Sequence, residues 1–164
     1  MSKTSRDERL PSRKLPVHGV LIPDDGFVLV FDTVCTKDRK PKLATVEIHE
    51  LLKKVWTDAS AWLMGRYVIL PDHIHYFAAP GNLPISLDNW VTYWKSQFTK
   101  SYRKQFSSPP PFDWQTDHWD TRLRTWERYS EKWEYVRYNP VRHGLVSKPE
   151  DWPFQGMIHD LRWD

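Results

Sequence analysis

Between Trp62 and Ala79 the chain holds two apolar runs, Trp62–Leu70 and His73–Ala79, separated only by Pro71-Asp72. Each run has the length and the β-branched and aromatic content of a strand, and a Pro-Asp pair is a turn signal. Parallel neighbours need a crossover of about a dozen residues or more, so strands joined this closely pair antiparallel as a hairpin. Whatever surrounds it, the fold is built on an antiparallel sheet.

The flanking segments supply the other layers. Phe27–Val34 is a continuous apolar run of the kind that forms a buried strand, followed by a basic loop over Cys35–Lys42. Thr45–Ala59 sets Ile48, Leu51, Leu52, Val55, Trp56 and Ala59 at helical spacing, with Thr45 as N-cap and Glu47 in the first turn. Ser86 caps a second helix, Leu87 to about Gln105, in which Trp90, Trp94, Phe98 and Tyr102 recur every four residues. The proline-rich stretch Ser107–Phe112 ends it. A last helix runs from near Thr125 to Tyr138 and stops at Asn139-Pro140, because a residue before proline avoids α geometry. The expected class is α+β, helices packed on an antiparallel sheet. Residues 1–14, rich in Ser, Arg and Lys, read as a mobile arm, and residues 15–164 as a single domain.

With 40% hydrophobic and 15% aromatic residues in 164, the chain has the apolar surface to build a core and is not a disordered one. Its net charge of +3 permits a polyanionic partner without demanding one. Ten tryptophans fill cores and equally make platforms for unpaired bases. The single cysteine, Cys35, excludes an internal disulfide and a multi-cysteine zinc site. No run reaches the roughly 18 apolar residues of a membrane span and the N-terminus lacks a signal peptide's apolar region, so the expected location is the cytoplasm.

Two features bear on chemistry. In His73-Ile74-His75 the imidazoles of one strand share a face, with Cα atoms about 6.6 Å apart, which suits two ligands of one divalent ion, and Asp72 is placed to ligate or orient. The same pattern also arises from two rings packed in a sheet. On the last helix, Trp126, Tyr129, Trp133 and Val136 form one stripe, and Tyr135 lies roughly 140° from its centre, sharing its side with Arg128 and Asn139. An amphipathic surface tyrosine fits that position. So does a nucleophile, since a phenolate can attack phosphorus and hold a covalent intermediate. With an ordinary value of about 10, such a phenol needs a cation or base beside it. Asn139 is suited to cap the short turn Pro140–His143 closed by Gly144, or to offer its amide oxygen to a metal. Lys95, Lys100, Arg103 and Lys104 form a charged helix face, and His118 and His143 read as solvated.

Three segments stand in order: PDHIH (Pro71–His75), WQTDHWDTRLR (Trp114–Arg124) and YVRYNPVRHGLV (Tyr135–Val146), with DWPF (Asp151–Phe154) after them. Together they resemble the single-tyrosine HUH transposases and, more narrowly, the REP-associated tyrosine transposases, over Trp62 to Phe154. The resemblance implies a ferredoxin-like HUH endonuclease fold. It implies His73 and His75 as metal ligands with Asn139 as a third, Tyr135 as nucleophile, and Mg²⁺ or Mn²⁺ as the ion. The implied substrate is single-stranded DNA beside a hairpin such as a REP palindrome, cut to a 5′-phosphotyrosine and a free 3′-hydroxyl and then rejoined. Lys95, Lys100, Arg103, Lys104 and Arg128 would hold its phosphates and aromatic side chains would stack on its bases. The protein would act as a monomer or homodimer, away from membranes. Two other readings compete: a hairpin-DNA binder that does not cleave, and a two-histidine metallonuclease using activated water.

Overall fold

The computed structural model describes residues 29–106 and 111–161. The basic arm, the first residues of the Phe27–Val34 run and most of the proline-rich break lie outside them. Along the chain stand β1 (Leu29–Cys35), α1 (Val46–Asp58), β2 (Trp62–Ile69), β3 (His73–Pro80), α2 (Leu87–Gln105), β4 (Trp119–Leu123), α3 (Trp126–Arg137), a short α4 (Asn139–Arg142) and β5 (Gln155–Met157). The strands form one antiparallel sheet in the order β4-β1-β3-β2-β5, which makes β3 its centre. The β2–β3 hairpin closes at Pro71-Asp72, where the Leu70 N–H bonds the His73 carbonyl at 2.8 Å.

Both faces of the sheet are covered, which is why its central strands read as continuous apolar runs rather than alternating ones. One face buries Val30, Val34, Met64, Tyr67, Ile74, Tyr76 and Ala78 under α1 and α2. The other buries Leu29, Phe31, Leu63, Val68, Phe77 and Ala79 under α3. A register shift between Met64 and Tyr67 in β2 lets these two residues, an odd number apart, reach the same face.

Each helix begins where the capping chemistry expects it. The side chains of Thr45, Ser86 and Thr125 accept from the backbone N–H of Ile48, Asn89 and Arg128. The four-residue stripe of α2 faces inward: Trp90, Trp94 and Phe98 are fully buried and Tyr102 nearly so. These rings are the core itself, stacked edge to face with Trp56 and Tyr76, and so are not available to unpaired bases. The tail then fastens to the β2 edge, where Trp152 Nε1 donates to the Ile69 carbonyl at 2.9 Å and Ile69 N–H to the Phe154 carbonyl at 2.8 Å. Among the described residues no helix is long and apolar enough to cross a membrane.

The Trp90 indole is 1% exposed and donates to the Ala59 carbonyl at 2.7 Å, tying α2 to the end of α1. Trp90→Ala is expected to cost about 3–5 kcal/mol, the range for a buried aromatic truncation, read as a fall in the urea midpoint with an unchanged slope.

Candidate active site

Alternation along β3 turns His73, His75 and Phe77 toward α3, and Ile74 and Tyr76 toward α1 and α2. The two imidazole centres are 4.7 Å apart at an interplanar angle of 81°. Each ring is held from behind through Nδ1. His73 Nδ1–H donates to Asp72 Oδ1 at 2.7 Å, and Asp72 Oδ2 accepts from Arg39 Nε at 3.0 Å. His75 Nδ1 meets Thr33 Oγ1 at 2.8 Å, Thr33 being its cross-strand partner on β1. Phe31 stacks on His75 with centroids 5.3 Å apart.

The electrostatics favour neutral rings. Burial above all, then the charges of His73 and Lys132, pushes His75 down to about 3. Burial lowers His73 as well, against the raising effect of Asp72. Burial works to raise Asp72, but its hydrogen bonds from His73 and Arg39 hold it below the usual carboxylate range. Two neutral imidazoles with Nδ1 tied back by a carboxylate and a hydroxyl leave both Nε2 atoms for one cation, which is the outer arrangement typical of metal-binding histidines. The donor set therefore fits the divalent ion that the sequence implies.

On the same face, α3 presents Tyr135, 58% exposed. Arg142, on α4, lays its guanidinium 3.9 Å from the Tyr135 ring centre and donates to the Tyr135 carbonyl and, at 2.8 Å, to Asn139 Oδ1. The cation that a nucleophilic tyrosine requires is thus supplied by a residue seven further on. Asn139 is buried, and its side chain makes no capping bond to α4, contrary to the cap reading; its amide oxygen anchors Arg142 instead. Gly144 does close the turn, in the left-handed region at φ +73°. His143 is exposed as expected, yet its ring centre lies 6.1 Å from that of His73.

Tyr135 also lines a cleft of about 500 Å³ between the edge strand β4 and α3, with Arg122, Arg124, Arg128 and Lys132. Arg128 therefore stands where the sequence analysis sets it, beside the tyrosine. The cations of α2 do not. Lys100, Arg103 and Lys104 are exposed on the helix layer covering the opposite face of the sheet. Lys95 is not on a solvated face at all: it is buried, and its ammonium donates to the Gln115 carbonyl at 2.9 Å.

His118 is the other correction. Rather than solvated, it sits on the α2 side of the sheet, where Nδ1–H donates to the fully buried Asp32 at 2.9 Å and Nε2–H to Asp88 at 2.8 Å. Asp32 also accepts from Tyr76 Oη at 2.5 Å. Asp88, His118 and Asp120 bring one possible ligand atom each within 4.8 Å of one another, a donor set suited to a divalent ion. As the residues stand, an imidazolium between two carboxylates satisfies the same geometry. Missing from the sequence reading were Arg39, Lys132 and Arg142; nothing in their spacing pointed to the site, because each arrives from a different element.

The likeness to known proteins agrees with this architecture. No family model matches the chain. It is 30% identical over 147 residues to a Haemophilus influenzae protein named for the REP-associated tyrosine transposases, covering 82% of each chain. It is 29% identical over 136 residues to the REP-associated tyrosine transposase of Escherichia coli, covering 80% of this chain and 77% of that one. A solved REP-associated tyrosine transposase bound to a REP hairpin shares the fold, with a TM-score of 0.65, 24% identity, and coverage of 78% and 75%. Fold and sequence together define the class as the tyrosine transposases. Within that class, the chain belongs to the REP-associated tyrosine transposase family.

The hydrogen bond to Asp32 raises His118 above its ordinary value, against burial, with the charges of Asp32 and Asp88 adding to the rise. A raised folded-state value means stability that is complete below the ordinary histidine value near 6.5 and lost as pH rises through the folded one. The destabilisation caused by His118→Asn, measured by urea unfolding, is therefore expected to shrink steadily from about pH 6 to about pH 9. A difference that is flat with pH would mean His118 is not protonated in the folded chain.

Proposed function

We propose that this protein is a metal-dependent tyrosine transposase that cleaves and rejoins single-stranded DNA at or near REP-like hairpins. The observation carrying this reading is the pairing of two imidazoles, both with Nδ1 tied back and Nε2 free, with a tyrosine under a guanidinium on the helix that covers the same face. Family membership supports the substrate class.

In this reading His73 and His75 hold Mg²⁺ or Mn²⁺ through Nε2, and the Asn139 amide oxygen, which keeps a lone pair beside its bond from Arg142, is the third donor. The ion, when bound, supplies Lewis-acid stabilisation of the charge that builds on the scissile phosphate. Tyr135 Oη attacks phosphorus in line with the departing 3′-oxygen. The Oη–P bond forms as the P–O3′ bond breaks, the phenolic proton is lost, and a proton ends on the 3′-hydroxyl. A 5′-phosphotyrosine remains. Because one phosphoester replaces another, the 3′-hydroxyl of the same or another strand can attack it and release Tyr135, which is rejoining. Arg142 favours the phenolate before attack by placing a cation at the ring.

The cations of the cleft, Arg122, Arg124, Arg128 and Lys132, hold phosphates of the strand reaching Tyr135. Lys100, Arg103 and Lys104 meet the hairpin arm if DNA wraps round the edge of the sheet. Replacing Arg124 and Arg128 together by Ala is expected to flatten the slope of log affinity against log salt by about 0.7 per lost single-strand phosphate contact. Titrating a fluorescent single-stranded oligonucleotide at several salt concentrations checks this, and an unchanged slope would place the DNA elsewhere.

The chemistry is tested by incubating the protein with end-labelled hairpin DNA and Mg²⁺ or Mn²⁺ on a denaturing gel. A covalent adduct abolished by EDTA and by Tyr135→Phe is the expected result. Tight hairpin binding without an adduct would favour a non-catalytic binder, and cleavage that survives Tyr135→Phe would favour a metallonuclease using activated water.

A further inference from the structure

The histidine pair has a third imidazole beside it. His143 follows Arg142, the residue that clamps Tyr135, and its ring centre is 6.1 Å from that of His73. An imidazole bound through nitrogen at about 2.1 Å puts its ring centre about 3.2 Å from the ion, so two rings sharing one ion have centres at most about 6.4 Å apart. The separations of 4.7 Å for His73–His75 and 6.1 Å for His73–His143 both fall inside that reach. The first corresponds to a near-right-angle pair of ligands and the second to a wide one, which a small rotation of an exposed side chain narrows.

The backbone at His143 is fixed while its ring is not. Its N–H bonds the Asn139 carbonyl at 2.9 Å, and the Gly144 and Leu145 N–H groups bond the Val141 and Pro140 carbonyls at 2.9 Å, closing the turn. Among the described residues nothing hydrogen-bonds the ring nitrogens of His143. Asn139, by contrast, already accepts from a guanidinium, whose positive charge opposes a divalent ion on the same oxygen.

We propose that His143 supplies a further nitrogen ligand to the divalent ion held by His73 and His75. This rests on the two-imidazole reading given above, and goes beyond it by assigning to α4 and its closing turn a direct hold on the ion. The sequence order Tyr135, Arg142, His143 would then couple the nucleophile, its cation and the ion through one short helix.

The test is Mn²⁺ affinity of the full chain without DNA, read by electron paramagnetic resonance of the free ion, for wild type, His75→Ala, His143→Ala and His143→Cys. Expected are Mn²⁺ binding by wild type, its loss in His75→Ala, and a weakening of about 10-fold or more in His143→Ala. Soft thiolates select soft ions, so His143→Cys is expected to bind Cd²⁺ at least about 10-fold more tightly than His143→Ala, with a sulfur-to-metal ultraviolet band. The only native cysteine, Cys35, is buried, which keeps the background low. If wild type binds and His75→Ala does not, while His143→Ala matches wild type and His143→Cys gains no Cd²⁺ affinity, the inference falls and the two-imidazole reading stands. If wild type binds no Mn²⁺, or His75→Ala binds as wild type does, both fall.

Discussion

The pairing of Thr33 with His75 in the β1–β3 ladder is the contact on which the site depends. Because side chains alternate along a strand, a slip of one residue would carry His73 and His75 to the face under α1 and α2, away from α3 and Tyr135. Two features guard that register. The apolar sets on the two faces of β3 differ in size, with Tyr76 fitted among Trp56, Trp90 and Trp94 and Phe77 against Tyr129. The Thr33 hydroxyl in turn fixes the His75 ring, so the strand pairing that builds the sheet also orients the imidazole.

The sheet separates two polar systems. On the α3 side stand His73, His75, Asp72, Arg39 and Lys132, open to the surface through a basic cleft. On the α2 side Asp32, Tyr76 and His118 form a closed network around a fully buried carboxylate. A buried charge left unpaired would be costly, which explains why Asp32 collects two hydrogen-bonded partners from β3 and from the segment before β4. That network pins the approach to β4, and β4 in turn forms one wall of the cleft beside Tyr135.

Much of this was legible in the residues. Caps at Thr45, Ser86 and Thr125, the Pro71-Asp72 turn and the four-residue stripe of α2 are local signals, and local signals survive folding. The edge strand β4 was not legible, because four of its five residues are exposed and it shows neither an apolar run nor alternation. Lys95 and His118 were misread for a common reason. A charged side chain in a polar segment looks solvated until another element supplies its partner, here the Gln115 carbonyl and the Asp32 carboxylate. The tryptophans were ambiguous in sequence, since a ring suited to a base is equally suited to a core.

By itself the sequence determined the hairpin, the helices, the sharing of one face by His73 and His75, and the position of Tyr135 off the buried stripe of its helix. All of these follow from periodicities of two and 3.6 residues acting within one element. Only the tertiary structure decided which helix covers which face of the sheet, and therefore which charges meet the imidazoles. It set α3 and the Arg142 guanidinium on the side of the histidines and the cations of α2 on the other. The physical reason is that burying an apolar stripe specifies that a helix must dock but not on which side, a choice made by the fit of whole faces and by the polar groups that must find partners between them.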